Sequence, residues 1–165
     1  EKGRRHDKNL NLHCEMITHT NFNSLFKKYN VPKNLDLLSI DIDSFDYWVW
    51  KGLTEYNPNV VIIETNAGLP NNIPLIISLD ATPSLNTWKF GANLLAMYDL
   101  AKEKGYEFVT TVRWNPVFVK KNLFHKLNIE PISREQCIKQ YFKPNNFSIA
   151  RILNNIQHHS HWVTY

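Results

Sequence analysis

The chain has 165 residues, 43% apolar and 21% charged, which suits one folded domain with a real hydrophobic core and excludes a disordered or fibrous polypeptide. A net charge of +4 is spread over scattered lysines, which predicts a solvated basic surface and no nucleic-acid partner. Apolar runs such as 60–63 and 73–79 fall far short of the ~20 residues a membrane span needs. Cys14 and Cys137 lie far apart without ligand-like spacing, so a reduced, cytoplasmic chain with no membrane partner is expected.

In chain order, EKGRRHDKNL reads as a linker or a cut edge. LNLHCEMIT (10–18) predicts a first strand. Thr20 is a good N-cap for a short helix through Phe22, Leu25 and Phe26, ending near Asn30 before the Val31-Pro32 break. LDLLSID (35–41) and NVVIIE (59–64) are aliphatic and β-branched, the pattern of parallel strands buried on both faces. Residues 44–56 between them have helical length, with Ser44 placed as the cap, so the unit is a strand–helix–strand crossover.

Residues 66–89 are too rich in Pro and Asn for one regular element. FGANLLAMYDLAKEKG (90–105) is the best helix: Leu94, Leu95, Tyr98 and Ala101 share a face and Gly105 closes it. YEFVTTV and PVFVKK, parted by Arg113-Trp114-Asn115, predict a terminal antiparallel hairpin, with Pro116 tolerable at a strand's start. The tail predicts helices near 133–142 and 148–158. The whole reads as a single α/β domain, 1–165, with a core over 10–123 and a helical extension over 124–165.

An open α/β sheet binds ligands outside the carboxyl ends of its parallel strands. Asp41 and Asp43 close one such strand; Glu64, followed by Asn66, closes the next. Residues two apart on a strand share a face, so both aspartates are placed to converge on one ligand. Asp46, in the first turn of the following helix, is explained by the helix dipole alone. Tyr47, Trp48, Val49 and Trp50 cannot all face one way on a helix; one or two are expected to pack on the sheet, with Trp48 the candidate for an acceptor pocket and Trp88 over its mouth. His158, His159 and His161 read as exposed tail histidines.

IDIDSFDYWVW, then VVIIETNAG, FGANLLAMYDLAKEKGY and NPVFVKKNLF, resembles the C-terminal half of the FkbM-like S-adenosylmethionine-dependent methyltransferases, from about Met16 to Leu123. The resemblance implies a partial Rossmann-like class I methyltransferase sheet: DLLSIDID as the fourth strand, VVIIE as the fifth, and a reversed hairpin at the end. It implies S-adenosylmethionine as cofactor and a small-molecule or sugar oxygen as acceptor. Some O-methyltransferases hold magnesium with acids after the fourth strand and an acid–amide pair after the fifth. Asp41 matches the first position, and Glu64 with Asn66 the second, the amide falling one residue late. Asp41 and Asp43 are thus the candidate catalytic acids, and Asp41, Glu64 and Asn66 the candidate ligands of Mg2+. At Asp41 the competing explanation is that it caps the next helix or accepts backbone N–H groups; at Asp43 it is helix capping.

Ser44 stands where that family usually carries Gly. Only 34 residues precede Leu35, with Gly3 the sole glycine before Gly52, whereas two βα units need roughly 60 residues. The cofactor-binding turn is therefore expected to be missing, through fragmentation or natural shortening, and no residue is assigned to S-adenosylmethionine. A half-sheet would leave apolar surface open and invite homo-oligomers. Two other readings stand: a non-catalytic binding or dimerisation module derived from a methyltransferase, and a metal-dependent glycosyltransferase in which D-x-D clamps manganese. A haloacid-dehalogenase-like phosphatase is disfavoured, since SFD replaces its usual continuation and no later acidic pair is evident.

Overall fold

Strands β1 (Leu37–Ile40) and β2 (Val60–Ile63) pair in parallel, Leu37 opposite Val60 and Ile40 opposite Ile63, as their aliphatic runs lead one to expect. The computed structural model describes residues 11–87, 89–140 and 162–164. Strands β4 (Tyr106–Val112) and β5 (Asn115–Lys120) form the terminal hairpin, and β5 inserts between β2 and β4. The result is an open, mixed α/β sheet in the order β1-β2-β5-β4, with only the β1–β2 pair parallel. Pro116 lies outside the β2–β5 register, so its missing N–H costs that ladder nothing.

Helix α2 (Asp46–Gly52) links the parallel strands, and helix α3 (Leu94–Glu103) precedes the hairpin. Between them and the sheet lies an aromatic core in which Trp50 meets Phe118 at 5.4 Å and Tyr106 edge-on at 5.8 Å. Asn93 caps α3 through the Ala96 N–H, while its amide group donates to the Pro70 and Ile73 carbonyls. One side chain thus anchors the helix and the preceding loop together. Glu107, buried on β4, is gripped through both oxygens by Lys102 at 2.8 and 2.7 Å.

Several expectations are corrected. Residues 11–18 form no strand; Glu15 turns instead to Lys28 and the Tyr29 hydroxyl, and the Asn21 side chain ties Met16 and Thr18. Asn21, not Thr20, holds the N-cap position of helix α1 (Phe22–Lys28), and its side chain makes no capping hydrogen bond. Helix α2 is shorter than 44–56 because Asn23 intercepts its end, donating to the Gly52 carbonyl and accepting from the Thr54 and Glu55 N–H groups. Gly52 is required there: a Cβ would meet the His19 carbonyl oxygen at 2.1 Å. Strand β1 alternates exposed and buried residues, with Leu37 53% exposed, so it is covered on one face only.

The loop after β2 contains a short strand, β3 (Ile76–Ile77), pairing with β6 (Trp162–Val163), so the C-terminal extension is not purely helical. Its helices α4 (Lys121–Phe124) and α5 (Arg134–Gln140) are short, and α5 packs on α3. The expected helix at 148–158 and the tail histidines lie outside the described residues. Among the described residues no helix is long and apolar enough to cross a membrane.

Candidate functional site

Because Ile40 and Ile63 are register partners, Asp41 and Glu64 leave the sheet side by side; the Glu64 N–H donates to the Ile40 carbonyl at 3.0 Å. Asp43 joins them by a different route from the strand alternation anticipated. The strand has ended, and Asp43 adopts a left-handed backbone with φ +55, a conformation that Asp tolerates better than most residues. Ligand oxygens of Asp41, Asp43 and Glu64 consequently lie within 4.8 Å of one another, the two aspartates exposed and Glu64 half-buried.

Asp46 sets this turn. Its carboxylate accepts from the Ile42 N–H at 2.9 Å and the Ser44 N–H at 3.1 Å, reaching back from the start of α2. Ser44 does not cap the helix; its hydroxyl donates to the Ile42 carbonyl, and its own carbonyl accepts from the Gly91 N–H at 2.7 Å. The left-handed position is Asp43, so a serine at 44 strains nothing. Burial raises the Asp46 pKa, opposed by these backbone donors and reinforced by the charge of Asp41.

The Glu64 carboxyl is pushed up to about 7, first by desolvation and then by the charges of Asp41, Asp46 and Asp43; the Asp43 N–H partly offsets them. Its Oε2 is buried and has no hydrogen-bond partner. At ~5 Å, two carboxylates repel by about 0.8 kcal/mol in bulk water and about 3 kcal/mol at an effective dielectric of 20. An orphaned buried oxygen inside such repulsion is relieved by a proton or by a cation. An all-oxygen donor set suits a hard divalent ion such as magnesium, calcium or manganese. The residues present therefore fit a metal of that kind.

The other sequence-nominated residues have different duties. Asn66 is buried; its amide donates to the Phe90 carbonyl and its oxygen accepts from the Gly68 N–H, so it clasps the loop while Asp43 supplies the third oxygen. Trp48 donates its indole N–H to the Ile77 carbonyl at 2.7 Å, tying α2 to β3. Trp88 lies outside the described residues. Sequence reasoning missed Asp46 as a brace, although the acid three residues after Asp43 was a visible signal. It also missed a recess of about 110 Å3 beside Thr65 and Asn66, edged by Arg113 and by Trp114, which is 60% exposed. The Trp114 carbonyl fixes that edge by accepting from both the N–H and the hydroxyl of Thr65.

The five glycines are dispersed at positions 3, 52, 68, 91 and 105, and among the described residues none builds a glycine-rich turn from strand to helix. These residues do not fit the usual cradle for S-adenosylmethionine. Compared with known proteins, the chain matches no family model, no curated protein and no solved structure.

Proposed function

We propose that this chain carries the acceptor and cation side of an S-adenosylmethionine-dependent O-methyltransferase of the FkbM-like kind, acting on a small-molecule or sugar hydroxyl. One observation carries the reading: three carboxylates converge at the carboxyl ends of two adjacent parallel strands. The reversed hairpin and the helix-linked parallel pair support a partial Rossmann-like methyltransferase sheet. Asp41 and Glu64 would hold the metal, an Mg2+ ion in this reading, which would lower the pKa of an acceptor hydroxyl. Asp43 offers one oxygen to the cluster, and the other oxygen of this exposed carboxylate would take the hydroxyl proton. No residue of this chain is assigned to the cofactor.

Calorimetry tests this by titrating S-adenosylmethionine, then UDP-sugar with manganese, into the protein as encoded by its complete reading frame. Cofactor binding, with a strand and glycine-rich turn encoded upstream, supports the reading. Binding of the nucleotide sugar instead favours the glycosyltransferase, and binding of neither removes the methyltransferase. The open β1 face, with Leu37 53% exposed, favours one second reading, a non-catalytic dimerisation module. Light scattering that shows a stable dimer without cofactor binding selects it.

A further inference from the structure

At the end of the sheet opposite the carboxylates, a recess of about 440 Å3 opens between the exit of α2 and the start of β4. Its wall is aromatic, formed by Trp50, Tyr56 and Tyr106, all buried. Lys104, just past α3, reaches into it and donates to the Leu53 carbonyl at 3.0 Å and more weakly to the Lys51 carbonyl at 3.5 Å. An ammonium has three hydrogens, so one remains unspent. Lys102, two residues earlier, has Glu107 as its counter-charge; among the described residues Lys104 has no ion-pair partner.

The Tyr106 hydroxyl is committed to the Pro58 carbonyl at 2.6 Å, whereas no hydrogen bond of the Tyr56 hydroxyl is seen among the described residues. The recess thus presents one cation and one available hydroxyl beside buried aromatic rings, in a lining that is more polar than apolar. A recess of this size is in the range that takes small molecules.

We propose that this recess binds a small organic carboxylate, with Lys104 as its counter-charge and Tyr56 as a second donor. Burial lowers the Lys104 pKa; the charge of Glu103 opposes this and that of Lys51 adds to it more weakly, so desolvation is the main cost that a bound anion would offset. Glu55 is the only acidic residue of the lining, and it is solvent-exposed. The site is independent of the carboxylate cluster and of the methyltransferase reading.

The test is an NMR titration of the full chain with sodium benzoate and, as a neutral isostere, benzamide. Benzoate is expected to shift the amides of residues 53–57 and 104–106 saturably, with benzamide at least about tenfold weaker. Lys104→Met should abolish benzoate binding. Because that lysine also caps α2, Tyr56→Phe serves as the second variant: it keeps the cap and should weaken benzoate by about threefold or more. Equal affinity for benzoate and benzamide, shifts located elsewhere, or no saturation by ~50 mM would each overturn the proposal.

Discussion

Glu64→Gln should make the protein more stable at pH 8 and flatten its pH dependence between pH 4.5 and 7. The wild-type carboxyl moves from an ordinary 4.5 to about 7 on folding. In that interval the folded state holds the proton that the unfolded state has released. Stability from this group is thus complete below pH 4.5 and is lost as pH rises through 7. At ~1.36 kcal/mol per pH unit the ceiling is about 3.4 kcal/mol; solvent screening of a half-buried group reduces it to about 1–2 kcal/mol. Urea unfolding at pH 5 and pH 8, in the presence of a chelator, measures it. The wild type should lose about 1–2 kcal/mol more than Glu64→Gln across that range. A variant with the wild-type slope, or one less stable than wild type at pH 8, would refute the electrostatic description of the cluster.

Asp46→Ala strips the acceptor from the Ile42 and Ser44 N–H groups and should cost about 2–4 kcal/mol in urea unfolding. Gly52→Ala forces a Cβ against the His19 carbonyl oxygen and should lower stability by about 2–3 kcal/mol, read as a fall in Tm. Lys102→Met leaves the buried Glu107 carboxylate uncompensated; since Lys102 is 43% exposed, the loss should be about 2 kcal/mol in urea unfolding.

The elements legible in the sequence are those whose pattern is local. The run 37–40 announces itself by its aliphatic residues and 60–63 by β-branching, α3 by its periodic apolar face, and the hairpin by two strands flanking a turn. LNLHCEMIT misleads because its alternation has no sheet partner, and Glu15 finds Lys28 on α1 instead. The β3–β6 pair is invisible locally, since Ile76 meets Val163 and Ile77 meets Trp162, far along the chain. At the site, strand ends place Asp41 and Glu64 legibly. Asp43 arrives through a left-handed turn held by Asp46, and Asn66 is drawn into a loop clasp with Phe90 and Gly68. Neither follows from spacing, because each depends on hydrogen bonds that exist only once the loops have folded.

Water-proton relaxation during titration with MnCl2 tests most directly whether the three acids act together as a cation site. One saturable site in the wild type, weakened at least about tenfold in Asp41→Asn and in Asp43→Asn, is the predicted result. Relaxation that never saturates, or that saturates identically in both variants, would contradict it.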